Sequence, residues 1–238
     1  MTLVRSEWGI EGVRRLRPKV AVLVIVDVLS FSTAVDMATG RGAQVLPFPS
    51  GDGAAAQEAA SKAGAILAAP RQAGGGQISL SPRTLSQLAA GARLMLPSPN
   101  GSRLSVEAGP GLVLAGCFRN AGAVARAALA LAGGGDIGVI PAGERWPDGS
   151  LRPAVEDSLG AGAVIHALHR PMDAEACVAR AAYLAAADDL NWIIRSCVSG
   201  QELIGQGFEE DVDLALELDT SGHAPLMKDG FYAGLQSE

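Results

Sequence analysis

Aromatic residues and long apolar segments are scarce in this chain of 238 residues, in which Phe, Trp and Tyr make up only 4%. The hydrophobic core must therefore be built mainly from Ala, Val, Leu and Ile. The longest unbroken apolar segment, residues 20–26, is too short to span a bilayer, and residues 1–19 lack the apolar stretch of a signal peptide. The sequence thus predicts a cytoplasmic protein that does not associate with membranes.

Cysteine is also rare, since the chain contains only Cys117, Cys177 and Cys197. An odd number at wide spacing fits neither a disulfide framework nor a C-x-x-C zinc site, so we expect free thiols. No arginine stands six residues after any of the three, which disfavours phosphoryl chemistry on a cysteine thiolate.

Basic clusters are absent as well: 19 Lys and Arg stand against 25 Asp and Glu, and the formal net charge is −6. Nucleic acid is therefore not an expected partner. The chain has no G-x-x-x-x-G-K-[ST], G-x-G-x-x-G or G-x-S-x-G motif, which removes the usual signatures of P-loop hydrolases, Rossmann dinucleotide binders and serine hydrolases. A D-x-D-x-[TV] motif after the first long strand is missing too.

What the sequence does contain is an alternation of short apolar runs with Ala-rich helical segments, up to a helix predicted from about residue 153 to residue 169. Continuous apolar strands separated by helices predict a mostly parallel sheet covered on both faces, an α/β fold of three layers (α/β/α). We expect one domain over residues 1–238, with residues 170–238 as its helix-rich flank. Ser199 and Glu202 form a capping-box pattern in that flank, and residues 72–77 ("QAGGGQ") are the best candidate for a mobile loop.

Polar and small residues follow four of the predicted strands, and if those strands run parallel their ends converge at one edge of the sheet. The segments are 27–33 ("DVLSFST"), 97–102 ("PSPNGS"), 116–120 ("GCFRN") and 141–150 ("PAGERWPDGS"). They supply groups that bind anions, including the side chains or amides of Ser32, Thr33, Ser98, Asn100, Gly101, Ser102, Arg119 and Asn120.

Carboxylates fall beside these groups, namely Asp27, Glu144, Glu156 and Asp157. Acids next to an anion site make electrostatic sense when a cation lies between them, and Mg²⁺ is commonly held by one or two carboxylates plus phosphate oxygens. Each residue also has a simpler interpretation: Asp27 could cap a turn, Glu156 and Asp157 could complement a helix dipole, and Arg119 could be a solvated residue.

Five segments in this order resemble the family of Mg²⁺-dependent 2-phosphosulfolactate phosphatases. They are "VIVDVLSFSTAVDMATGRGAQVLP", "PSPNGSRL", "GCFRNAGAVARA", "VIPAGERWPDGSLRPAVEDSLGAGAVIHAL" and "SGQELIGQGFEEDVDLALELDTSGHAPLMKDG". The resemblance implies a three-layer α/β fold and a magnesium-dependent phosphatase. Its substrate would carry a phosphate ester, a carboxylate and a sulfonate, as in the route to coenzyme M.

Two departures from the family pattern concern the substrate. The family typically has an arginine in a "DVLRAST" pattern, where this chain has Ser30 and Phe31, and it typically has a Glu-Arg-Gly-Gly element, where this chain has Arg71 with no preceding acid. A missing cation in an anion pocket would alter which anion is preferred.

The sequence therefore predicts a Mg²⁺-dependent phosphatase acting on a small phosphorylated acid. Asp27, Arg119 and Glu144 are the predicted catalytic residues, and Asp27, Glu156 and Asp157 the predicted metal ligands. The predicted phosphate-binding residues are Ser32, Thr33, Asn100, Gly101, Ser102 and Asn120. The nucleophile, an activated water or a carboxylate such as Asp27, stays open, as does assembly into a homo-oligomer. The alternatives are a phosphatase for a different phosphorylated hydroxy acid, or a family member that binds a small anion without turnover.

Overall fold

The computed structural model describes residues 2–49, 53–73 and 76–236 of the chain. The strands in these ranges are β1 (Val4–Ser6), β2 (Val22–Val26), β3 (Gln44–Pro49), β4 (Ile66–Leu67), β5 (Arg93–Ser98), β6 (Leu112–Gly116), β7 (Ile137–Pro141), β8 (Glu144–Arg145), β9 (Leu151–Arg152), β10 (His223–Lys228) and β11 (Phe231–Gln236). The α-helices are α1 (Gly9–Leu16), α2 (Phe31–Gly40), α3 (Gly53–Ala63), α4 (Pro82–Leu85), α5 (Gly101–Glu107), α6 (Ala121–Ala132), α7 (Val155–Leu168), α8 (Ala174–Ala186), α9 (Leu190–Ser196), α10 (Val198–Gly205) and α11 (Glu209–Ala215).

The central strand β2 shows why the chain forms three layers. All five of its side chains are buried, and they alternate between the two faces of the sheet. Val22, Val24 and Val26 join one hydrophobic cluster with residues of α6, α7 and α8, whereas Leu23 and Ile25 join a second cluster with residues of α1, α2 and α5. The predicted α/β/α fold is confirmed.

Nine strands form the main sheet, in the order β1-β7-β2-β6-β10-β11-β3-β5-β4, and β8 pairs with β9 separately. Strands β1, β7, β2 and β6 run parallel to one another, and so do β3, β5 and β4. The hairpin β10–β11 lies between these two groups and pairs antiparallel with β6 on one side and with β3 on the other.

This hairpin corrects one premise of the sequence interpretation. Three antiparallel pairings in succession separate β6 from β3, so β3 and β5 run in the opposite sense to β2 and β6. The sequence interpretation assumed that β5 runs parallel to β2, so that the segments after both strands meet at one edge of the sheet. That assumption is wrong for β5, and the segment after it approaches Asp27 in another way. It reaches the site through α5, which starts at Gly101 and packs beside the first turn of α2.

The C-terminal part of the chain contributes more than a helical flank. Helices α8 to α11 are present as predicted, but β10 and β11 occupy the middle of the main sheet. The capping-box prediction is wrong in detail, because α10 begins at Val198 and the thiol of Cys197 accepts the N–H of Gly200 at 3.4 Å. A cysteine sulfur thus takes the capping position that the pattern assigned to Ser199.

Two further expectations concern the thiols and the membrane. Cys117, Cys177 and Cys197 are free thiols, as predicted. None of the helices in the described ranges combines the length and apolar character needed to cross a membrane.

Candidate active site

Asp27 follows β2 directly, and its buried carboxylate is held by two backbone amides. Oδ1 accepts the N–H of Phe31 at 3.2 Å, and Oδ2 accepts the N–H of Gly101 at 2.7 Å. The first contact is the turn-capping role that the sequence allowed. The second joins the end of β2 to the start of α5, so the carboxylate has a fixed orientation.

Gly101 can make this contact because it has no side chain. A Cβ atom at this position would lie 2.2 Å from Cδ1 of Phe31, which is far inside van der Waals contact. The ring of Phe31 is fully buried and packs edge-on against Tyr232, so it has little room to move away. The Asn-Gly turn is therefore required by packing against α2.

Asp157, in the first turn of α7, has a similar arrangement. Its Oδ1 accepts the N–H of Val28 at 2.7 Å, and its Oδ2 accepts the N–H of Gly143 at 2.8 Å. The carboxylate thus ties together the segments that follow β2 and β7. It stabilises the backbone at Val28, next to Asp27, and at Gly143 in the segment that follows β7.

Glu144 and Glu156 complete the acidic group. Oε2 of Glu144 accepts the side-chain amide of Asn100 at 2.9 Å, and Oε2 of Glu156 accepts the thiol of Cys197 at 3.3 Å. Within the described ranges, Oε1 of neither glutamate makes a hydrogen bond to the protein. Each glutamate therefore keeps one oxygen for a ligand.

We call Asp27, Glu144, Glu156 and Asp157 the carboxylate cluster, because these side chains act on one another electrostatically. Burial, and then the charge of Glu144, raises the pKa of Asp27 to about 7, against the opposing effect of the Gly101 and Phe31 amides. Burial, followed by the charges of Asp27 and Glu156, raises the pKa of Asp157. The pKa of Glu144 is also raised, first by burial.

A magnesium ion would fit this cluster by its chemistry. In the described residues, no group of three or more His, Cys, Asp or Glu side chains is arranged so that it could hold a metal ion. However, Mg²⁺ needs only one or two carboxylates, because it keeps several waters and binds substrate phosphate oxygens. Buried acids that raise one another's pKa would be stabilised by a divalent cation, and the free Oε1 atoms of the glutamates are hard oxygen donors of the kind it prefers.

The predicted phosphate-binding hydroxyls lie close to the cluster but face the backbone. Ser32, Thr33 and Ser102 are fully buried and donate to the carbonyls of Ile25, Val28 and Leu96, at 3.1, 2.8 and 2.6 Å. Their protons are used to hold the first turns of α2 and α5 against the strands. Phosphate binding by these hydroxyls stays a prediction, which these contacts do not favour.

Arg119 and Asn120 belong to a different network, centred on the buried Asp36 of α2. The guanidinium of Arg119 donates to Asp36 Oδ2 at 3.1 Å, to the Leu214 carbonyl at 3.0 Å and to Glu217. Asn120 donates to Asp36 Oδ1 at 3.1 Å. The structure therefore does not bring these two residues into contact with the carboxylate cluster, and their predicted roles toward phosphate stay predictions.

Two cations near the cluster were absent from the predicted site. Nη2 of Arg71 donates to the hydroxyl of Ser30 at 2.9 Å, three residues after Asp27, and Arg152 moderates the raised pKa of Glu144. The sequence feature that could have indicated a role for Arg71 is its position just before a glycine-rich stretch. Gly74 and Gly75, in the predicted mobile loop 72–77, lie outside the described residues.

Comparisons with known proteins identify the family of this chain. The family model described as 2-phosphosulpholactate phosphatase matches residues 12–230. The chain is 33% identical, over 215 residues, to the 2-phosphosulfolactate phosphatase of Methanothermobacter thermautotrophicus, with 87% of each chain covered. The four residues of the carboxylate cluster lie between residues 12 and 230, and the chain belongs to the 2-phosphosulpholactate phosphatase family.

Proposed function

We propose that this protein hydrolyses the phosphate ester of 2-phosphosulfolactate, or of a closely similar phosphorylated acid, to sulfolactate and phosphate. The observation that carries the proposal is the carboxylate cluster at the end of β2, in a chain that belongs to this phosphatase family. We further propose that the reaction takes place in the cytoplasm, on the route to coenzyme M.

In this proposal Asp27, Glu156 and Asp157 would hold the magnesium ion. Asp27 is oriented by the amides of Phe31 and Gly101, and Glu156 by the thiol of Cys197. The ion supplies positive charge that stabilises the phosphoryl group during transfer. Each oxygen of Asp157 accepts one backbone amide, as each oxygen of Asp27 does, and through these contacts Asp157 also fixes the segments at residues 28 and 143.

Glu144 is the proposed general base. Asn100 holds its Oε2, which leaves Oε1 to accept a proton from the attacking water. Because its pKa is raised, the carboxylate is a better proton acceptor than an ordinary glutamate once it is ionised. The amides of Phe31 and Gly101 fix the orientation of the Asp27 carboxylate but leave lone pairs on both oxygens, so the nucleophile in this proposal is either this water or Asp27 itself.

The test is phosphate release from 2-phosphosulfolactate, 2-phospholactate and 3-phosphoglycerate, with Mg²⁺ and with a chelator. We expect turnover that requires Mg²⁺, and a loss of at least about 100-fold in kcat for Asp27→Asn and Glu144→Gln. Asp36→Asn is the matched control, because Asp36 is an equally buried carboxylate in a separate network.

Each part of the proposal has its own contradicting result. Absence of turnover on all substrates would refute the phosphatase assignment, and full activity in chelator would refute the magnesium requirement. Preference for 2-phospholactate or 3-phosphoglycerate would reassign the substrate while leaving the reaction type intact.

A further inference from the structure

Arg71 is placed at the edge of the proposed active site although it stands in a different part of the sequence. It opens the short 3₁₀-helix Arg71–Ala73, and its side chain is only 10% exposed. Nη2 donates to Ser30 Oγ at 2.9 Å, and the negative charge of Asp27 acts on the guanidinium. A buried cation thus adjoins the segment that carries the principal acid of the site.

Asp211 of α11 holds this guanidinium in place. Its Oδ2 accepts Nη1 of Arg71 at 2.8 Å, while its Oδ1 accepts the hydroxyl of Ser81 at 2.6 Å and the amide of Arg83 at 3.3 Å. The carboxylate is only 1% exposed. The ring of Phe208 lies 5.2 Å from the guanidinium carbon and restricts it from another side. Arg71 is therefore preorganised and does not have to be ordered by a ligand.

The guanidinium still has donors to offer. Of its five N–H groups, three are used within the described ranges, by Asp211, by Ser30 and more weakly by the Leu80 carbonyl. Arginine that presents N–H groups from a fixed position is well suited to bind a carboxylate or a sulfonate. Arg119 differs, because Asp36, Glu217 and the Leu214 carbonyl take its guanidinium.

A cavity of about 460 Å³ lies against Arg71, in the usual size range for small-molecule sites. Its other walls include Phe48, Leu80, Pro97 and Pro99. Pro99 immediately precedes the Asn100–Gly101 turn that contacts Glu144 and Asp27. The cavity thus reaches the residue that precedes the proposed catalytic turn, and among its lining residues in the described ranges Arg71 has the only charged side chain.

We infer that Arg71 determines substrate specificity by binding the acid group that accompanies the phosphate ester, and that Asp211 is its positioning residue. The ligand class is a phosphorylated acid whose carboxylate or sulfonate reaches Arg71 while the phosphoryl group lies at the carboxylate cluster. This inference rests on the proposed function for its substrate, but its binding step is testable without turnover.

The kinetic test compares kcat/KM for three substrates: 2-phosphosulfolactate, 2-phospholactate, which lacks the sulfonate, and the phosphate ester of 2-hydroxyethanesulfonate, which lacks the carboxylate. For Arg71→Met we expect kcat/KM to fall about 10- to 100-fold on substrates that carry the group bound by Arg71, mainly through KM, and much less on the substrate that lacks it. The ratio of two kcat/KM values from one preparation is independent of the folded fraction, so partial unfolding cannot imitate this result.

Three further variants define the role. Arg71→Lys retains charge and should recover part of the loss, and Asp211→Asn should raise KM with little change in kcat. Arg83→Gln is the control, because that exposed side chain pairs with Glu210 and leaves the Asp211 carboxylate in place. An equal effect of Arg71→Met on all three substrates, or a selective effect from Arg152→Met instead, would overturn the inference.

Calorimetric binding of sulfolactate separates this inference from the proposed function. We expect the Kd of Arg71→Met to exceed that of the wild type by about 10- to 100-fold. Equal Kd values would overturn the role of Arg71 even if the phosphatase turns over normally. Absence of turnover with a weakened Kd would refute the proposed function and support the role of Arg71.

Discussion

The amide of Gly101 donates to Oδ2 of Asp27 at 2.7 Å, so residues 74 positions apart in the chain are joined at the start of α5. This hydrogen bond requires the helix to approach Phe31 so closely that no β-carbon fits. Stability and the orientation of the principal acid consequently depend on the same contact.

The substitution Gly101→Ala should therefore lower both the stability of the fold and the catalytic activity. We expect unfolding free energy to fall by about 1–3 kcal/mol, as for overpacked cores, and kcat to fall at least about tenfold because Asp27 loses an oriented donor. Urea unfolding and phosphate release would measure the two effects. Gly205→Ala is the control, since no atom lies within 4 Å of its added Cβ. Unchanged kcat in Gly101→Ala would show that the hydrogen bond does not matter for catalysis.

Arg119→Met should act on stability and leave substrate binding unchanged. The substitution leaves the carboxylate of Asp36 buried without its cation, which costs about 3 kcal/mol in comparable pairs. Thermal unfolding would register this loss, and Asp36→Asn in the same background should recover part of it. If kcat/KM of the folded enzyme fell more than about tenfold, equivalent to 1.4 kcal/mol, the predicted contact between Arg119 and phosphate would be supported against the structure.

Ser102→Ala distinguishes a structural hydroxyl from one that binds phosphate. Its proton is donated to the Leu96 carbonyl at 2.6 Å, so we expect unfolding free energy to fall by about 1 kcal/mol with KM unchanged. Ser86→Ala removes an exposed hydroxyl that makes the same type of bond, and should cost less than about 0.5 kcal/mol. A tenfold rise in KM for Ser102→Ala would return Ser102 to the phosphate site.

Asp136 gives a pH-dependent prediction away from the active site. The amide of Leu3, and then the side chain of Arg5, lowers its pKa in the folded protein. A depressed pKa contributes stability above the unfolded value of about 3.9, and this contribution is lost as the pH falls through the folded value. Asp136→Asn should thus lower the unfolding free energy by about 0.5–1 kcal/mol at pH 7. The difference in unfolding free energy between the wild type and this variant should become smaller as the pH falls toward 3.

Urea unfolding across this pH range would measure the change in Asp136→Asn. Arg5→Gln provides a partial control, because it removes the ion pair but keeps the hydrogen bond from Leu3. A constant difference between wild type and Asp136→Asn from pH 7 to pH 3 would contradict the assignment.

Much of the site was accessible from the sequence because strand ends carry local information. The apolar run of β2 predicts a strand buried on both faces, and the polar residues after it must then lie at an edge of the sheet. The same argument applies to the segment 141–150, and in the structure Glu144 of that segment lies near enough to Asp27 to raise its pKa. The roles of the serine and threonine hydroxyls were harder to predict. A serine in the first turn of a helix can donate to a strand carbonyl or to a ligand, and the sequence pattern does not distinguish these two roles.

The remaining features depend on contacts between distant segments. Arg71 and Asp211 are separated by 140 positions, and no local periodicity connects them. The sequence indicates only a short strand at residues 223–228 after the helix-rich flank, whereas the structure has the hairpin β10–β11, whose place in the sheet reverses the direction of β5. Such pairings are determined by packing of the whole domain, which one sequence does not reveal.

The position of that hairpin has a consequence for synthesis on the ribosome. Strands β3 and β6 are both complete by residue 116, but the two strands that lie between them in the sheet, residues 223–236, are made more than 100 residues later. Any half-sheet formed before then would leave the edge of β6 or of β3 unpaired, and unpaired edges are prone to wrong pairing. Shielding of those edges by a chaperone during translation would thus be of particular value to this fold.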